Sequence, residues 1–189
     1  MIVLLIGMAV FVGIHSVPML PALRARLVKR LGAGGWRGVF SLASLAGLVL
    51  IVVGYGMARA DPVVVYDPPA AMRHVALLMV PLAFVLVVSA YIPGRIKATL
   101  RHPMLAGIKL WAFAHLLANG TLADIVLFGS ILAWAVVDRI SLKRRERAGL
   151  VNVSGRPARN DAVAVVAGLA AAAVFALWLH PLLIGVPVV

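Results

Sequence analysis

Six apolar runs, at roughly 2–22, 38–58, 73–92, 103–119, 121–138 and 161–184, follow one another through the 189-residue sequence. A hydrocarbon core of about 30 Å is crossed by roughly 20 apolar residues in a helix, so each run marks a candidate span. Composition agrees, with 63% hydrophobic residues, 13% charged residues and a mean hydropathy of +1.07. A water-soluble globule of ordinary composition is excluded. The expected fold is all-α: a polytopic integral membrane protein with about six transmembrane helices in one bundle, forming a single domain over 1–189.

The formal charge of +12 suggests nucleic-acid binding until the cations are located. Arg24, Arg26, Lys29, Arg30 and Arg37 follow the first run. Arg95, Lys97 and Arg101 lie between the third and fourth. Arg139, Lys143, Arg144, Arg145, Arg147, Arg156 and Arg159 lie between the fifth and sixth. The intervening loops carry Arg59 and Arg73 alone, and Lys109 falls inside a run. Basic residues confined to alternate loops mark the cytoplasmic side, which places both termini outside the cytoplasm and makes the lipid bilayer, and no nucleic acid, the partner of these charges. The first run has no basic segment before it and no small-residue cleavage site after it, so it reads as a retained span. Pro18 and Pro21 end or kink that helix, leaving 24–37 along the cytoplasmic surface. Residues 59–69 read as an extended extracytoplasmic connection, and 139–160 as a cytoplasmic loop opening with a helical extension of the fifth span.

The polar groups that are out of place in a bilayer concentrate in 101–129. Pro103 suits a first helical turn. Asn119-Gly120 signals a turn, and Thr121 with Asp124 forms an acidic variant of the capping box, so the stretch reads as a hairpin of two short helices. Trp111, His115 and Asn119 recur every four residues and share one helix face. Of five histidines, His102 lies at the cytoplasmic interface, His74 and His180 lie near the outer one, and only His15 and His115 lie deep. At 1.5 Å per residue His15 is ~20 Å from the outer end of its span and His115 ~18 Å from the inner end of its own. An imidazole at such depth hydrogen-bonds a neighbouring carbonyl or hydroxyl, or it ligates a metal. Two on different helices, with no cysteine in the chain, point toward a haem iron held without thioether links.

The pattern His102-Pro103, then Trp111-x-x-x-His115-Leu116-Leu117-x-Asn119-Gly120, then Phe128-Gly129, preceded upstream by His15-Ser16-Val17-Pro18, resembles the NnrU family over nearly the whole chain. The same layout is similar, more distantly, to the plant and cyanobacterial zeta-carotene isomerases, which are membrane-embedded and carry haem b. The resemblance implies an inner-membrane accessory protein of denitrification. It would support expression or activity of nitrite and nitric oxide reductases, with components of those enzymes as partners, through haem-based sensing or electron transfer. It also implies haem b as cofactor, with His15 and His115 as axial ligands of the iron. Ala112 stands where the plant isomerases have a cysteine, so a cysteine-dependent ligand switch is not expected here.

Around that site Lys109, Arg101, Trp111 and Asn119 are candidate cofactor contacts. Lys109 either snorkels to the interface along its flexible stem or pairs with a haem propionate. Arg101 and Arg95 would serve a propionate or a lipid phosphate, while Trp111 and Phe113 suit packing. His102 suits an interfacial anchor. A metal held by His74, His115 and His180 is a weaker alternative. Two enzyme readings stay open: a haem-dependent isomerase acting on a polyene, and a remote relative of the membrane methyltransferases that use S-adenosylmethionine. The second is suggested by Arg101-His102-Pro103 with Gly107 and by Leu127-Phe128-Gly129, although Leu105 replaces that family's tyrosine and Asp124 alone stands for its paired acids.

Overall fold

The computed structural model describes residues 1–151 and 160–188. These residues form helices and turns, and an isolated antiparallel bridge joins Val64 to Thr121. Five helices are long and apolar enough to cross a membrane: α1 with its 3-10 extension (Ile2–Met19), α2 (Pro21–Ala60), α3 (Ala70–Ser89), α6 (Leu122–Arg147) and α7 (Asp161–Ile184). The short α4 (Arg95–Leu100) and the apolar α5 (Pro103–Ala118) lie between α3 and α6. The all-α membrane fold expected from composition is what forms. Its sixth apolar helix is short, however: the 16 residues of α5 rise only ~24 Å. Pro103 opens α5 and the extended residue Asn119 closes it, so the sequence itself limits its length.

The described residues divide into two compact units, Met1–Val63 and Val64–Val189. The first is a hairpin of α1 and α2. Helices in lipid gain nothing by hiding apolar area from one another and associate instead where small residues let backbones approach. Gly7 meets the backbone of Leu50 and Ile51, Gly47 meets that of Phe11, and Gly54 meets Leu4, whose amide nitrogen lies 2.3 Å from where a Cβ on Gly54 would stand. Leu4 is fully buried at this crossing. α1 gives way to a 3-10 turn at Val17–Met19, around Pro18, as a missing N–H and a blocking ring require. The segment expected along the membrane surface is helical and belongs to α2. It breaks from the rest at Gly32, whose φ of 72° and ψ of 166° only glycine adopts readily.

In the second unit α3 packs against both α5 and α7. Both contacts again use glycine. Gly107 of α5 sits against the Ala83 carbonyl and Val87, and Gly168 of α7 sits against Val85. Asp161, at the start of α7, accepts hydrogen bonds from the Arg95 and Ile96 amides at 3.2 and 3.1 Å and so caps α4 from a distant part of the chain. Two π-helical turns interrupt the longer helices, Ile125–Gly129 in α6 and Phe175–Leu179 in α7.

Candidate functional site

The hairpin expected within 101–129 is present, although its second helix is long and runs over Leu122–Arg147, and its turn is a dense hydrogen-bonded knot. Thr121 and Asp124 form a complete capping box. The Asp124 carboxylate accepts from the Thr121 amide at 2.9 Å, and the Thr121 hydroxyl accepts from the Asp124 amide. Asn119 closes α5 by donating its side-chain amide to the His115 carbonyl at 2.9 Å. Three carbonyls at the turn are then satisfied from the 61–69 connection. The Tyr66 hydroxyl donates to Leu116 O and to Asn119 O, and the Val65 and Tyr66 amides donate to Gly120 O at 2.9 and 3.1 Å. Gly120 is required by this contact, because a Cβ there would lie 1.9 Å from the Tyr66 carbonyl oxygen. Burial, and then the nearby Asp124 carboxylate, push the Tyr66 phenol above its ordinary value, which keeps it a donor.

His115 lies one turn below this knot. Its Nδ1–H donates to the Trp111 carbonyl at 2.8 Å, so in the neutral ring the lone pair lies on Nε2. The ring stacks on Phe128 with centroids 4.5 Å apart and planes 27° apart, and Trp111 lies 4.8 Å away. Phe128 belongs to the π-turn of α6, a kind of irregularity that recurs at functional sites. Trp111 and His115 thus share a face as their spacing requires, whereas the Asn119 amide turns to the helix end. Measured along the axis, Lys109 is about 9 Å and Arg101 about 20 Å before His115, so Lys109 is the cation better placed for a group held at His115. Lys109 is half-buried and forms no ion pair among the described residues.

His15, in the first unit, is arranged in the same way. Its Nδ1 lies 2.8 Å from the Phe11 carbonyl, with the rings of Phe11 and Phe40 at 4.1 and 5.1 Å. Both imidazoles therefore direct Nδ1–H to the carbonyl one turn back and lie among aromatic rings. His180 donates instead to the Val186 carbonyl at 2.7 Å, near the end of the chain. His74 is exposed in the first turns of α3. Among the described residues no three histidine or carboxylate side chains come together as a metal group, so the arrangement of His74, His115 and His180 does not form.

At the opposite end of α5, His102 donates its ring N–H to the Glu146 carboxylate, and Arg101 reaches the same carboxylate at 3.3 Å. Glu146 lies on the charged extension of α6 beyond its apolar part. The His102 hydrogen bond, ahead of the charges of Arg101 and Arg139, holds its carboxyl below the usual range.

Residues 3–188 match the family described as NnrU protein. The chain belongs to the NnrU family. No curated protein and no solved structure gives a significant match. The residues that carried the resemblance fall into three places in this NnrU fold, of which His15-Ser16-Val17-Pro18 is the end of α1 in the first unit. The W-x-x-x-H, N-G and F-G positions meet around His115, and the H-P pair meets Glu146. Two participants escaped the sequence reading, Tyr66 and Glu146. Val63-Val64-Val65-Tyr66 is a β-branched run ahead of prolines, whose extended backbone needs partners outside a helix. Glu146 and Asp138 are the carboxylates within a strongly basic segment and lie eight residues, just over two turns, apart on one helix face.

Proposed function

We propose that this NnrU protein is an accessory component of nitrogen-oxide respiration that binds haem b through neutral imidazoles, with His15 and His115 as iron ligands. Family membership suggests the respiratory role. The observation that carries the haem reading is the shared state of the two histidines. Ligating histidines characteristically donate the other ring N–H to a carbonyl or carboxylate, which orients the ring and leaves the remaining nitrogen as the Lewis base. Both deep histidines direct Nδ1 to a backbone carbonyl at 2.8 Å, in aromatic surroundings that suit a porphyrin face. Their assignment as a pair comes from the resemblance, and each is tested singly.

Bound haem would supply one-electron or gas-binding chemistry, which suits sensing or electron transfer in partnership with nitrite or nitric oxide reductase components. The chain's own residues would orient the ligands, exclude water around each of them, through Phe11 and Phe40 at His15 and through Trp111 and Phe128 at His115, and offer Lys109 to an acidic substituent. The inner membrane is the site of action in this reading, with the basic loops cytoplasmic and both termini periplasmic.

The test is pyridine haemochrome content and visible spectrum of the purified protein beside His15→Ala, His115→Ala and His180→Ala. Loss of an iron ligand outweighs loss of one neutral hydrogen bond, so the first two variants should lose haem or change its spin state. His180→Ala should keep the parental spectrum. A parent that yields no Soret band even after reconstitution would remove the proposal, and an unchanged spectrum in His115→Ala would transfer ligation to another residue.

A further inference from the structure

A small cavity opens at the charged end of α6, about 270 Å³ in volume and lined by Arg101, Arg139, Lys143, Glu146 and Arg147. We infer that this cavity is a phosphate-binding site, taking either a phospholipid headgroup or a free phosphate. Arg139, Lys143 and Arg147 recur at four-residue spacing, so their cationic groups stack along one face of α6. Like charges at that spacing repel and weaken a helix unless an anion lies between them. Arg101 faces them across the cavity.

Two further observations are independent of the charge count. The Arg139 Nη1 nitrogen is fully buried and has no acceptor among the described residues. A buried guanidinium donor without an acceptor is costly, and a bound oxyanion removes the cost. The backbone also bends sharply to present Arg101. Its φ of 62° and ψ of −42°, with the His102 amide donating back to the Leu100 carbonyl at 2.7 Å, form a γ-turn of the rare, strained kind. Strain of this sort persists only where the surroundings hold it, and here Glu146 does so by binding both Arg101 and His102.

Glu146 lines the cavity with its carboxylate engaged by Arg101 and His102, and the four cations of the lining, Arg101, Arg139, Lys143 and Arg147, outnumber it. The donors left over belong to Arg139, Lys143 and Arg147, spread over two turns of helix. A carboxylate offers two oxygens in one plane, whereas phosphate oxygens, two of them unesterified in a phosphodiester headgroup and four in free phosphate, are set tetrahedrally and reach donors separated in this way. The volume accommodates a phosphate group and several waters.

The full-length protein, purified in detergent, tests this in two arms. In the first, delipidated protein is titrated with inorganic phosphate and followed by thermal unfolding. In the second, protein from nanodiscs of mixed phosphatidylglycerol and phosphatidylcholine is examined by native mass spectrometry for retained lipid. Arg139→Gln and Lys143→Gln should weaken binding about ten-fold or more, as loss of a charge-assisted hydrogen bond implies. Arg144→Gln, on the same helix but outside the cavity, should bind like the parent. Lys143 is exposed, so its variant keeps the test valid if Arg139→Gln misfolds. Retention of phosphatidylglycerol without a response to phosphate identifies a headgroup site, and stabilisation by phosphate identifies a free-phosphate site. Absence of both overturns the inference, as does an equal loss in Arg144→Gln, which would reduce the effect to diffuse surface charge.

Discussion

Tyr66 and Gly120 decide how the end of α5 is closed. A helix that stops inside or at the edge of a bilayer leaves carbonyls that water does not fully reach, and these need donors from the protein. The Tyr66 hydroxyl and the Val65 and Tyr66 amides supply them at Leu116, Asn119 and Gly120. Tyr66→Phe removes the hydroxyl and keeps the ring, so it should cost about 1 kcal/mol, seen as a modestly lower Tm in detergent. Gly120→Ala should be far worse, because its Cβ would overlap a backbone oxygen that has no room to retreat. A parental Tm in Gly120→Ala would show that the connection does not pack on the turn. Asn119-Gly120 was legible as a turn from sequence. Its partner was not, because Tyr66 and Gly120 lie 54 positions apart and local pattern does not encode a contact at that separation.

The helices associate through glycines at defined crossings. In the first unit, Gly7, Gly47 and Gly54 bring α1 and α2 to backbone contact, while Gly13 of α1 faces open space. Gly54→Ala should therefore destabilise the hairpin by roughly 1–3 kcal/mol, as overpacking does, with Gly13→Ala close to neutral. Thermal unfolding of the two variants checks this, and equal Tm values would refute the crossing. Apolar length alone identified these helices as spans, since any long hydrophobic run satisfies the bilayer. It did not identify their neighbours: the lipid-facing and helix-facing sides of such a helix are equally apolar, so no amphipathic stripe marks the interface. Small residues do mark it, but the chain has 17 glycines and several face nothing.

For the whole molecule, the strongest expectation is topological. Alternate loops carry nearly all the arginine and lysine, and that asymmetry is read by the insertion machinery before tertiary contacts exist. A reporter fused after Val189 should be active as a periplasmic enzyme and silent as a cytoplasmic one, and the opposite pattern would invert every depth assigned to the histidines. Under the expected pattern the charged extension of α6 and its cavity face the cytoplasm. The same charge run that orients the chain also supplies Arg139, Lys143 and Arg147 to one helix face, so topology and the proposed phosphate site draw on common residues.

The sequence by itself determined the all-α membrane class, the turn at Asn119-Gly120 and the family, because each follows from local composition, spacing or motif. The positions of His15 and His115 deep in apolar runs were equally legible. Tertiary structure alone decided that Phe128 stacks on His115, that Tyr66 closes the turn and that Glu146 gathers Arg101 and His102. These contacts join residues between 13 and 54 positions apart, and in each the physical determinant is the packing of helix against helix or loop against turn. A linear pattern carries the chemistry of each partner but not the distance between them.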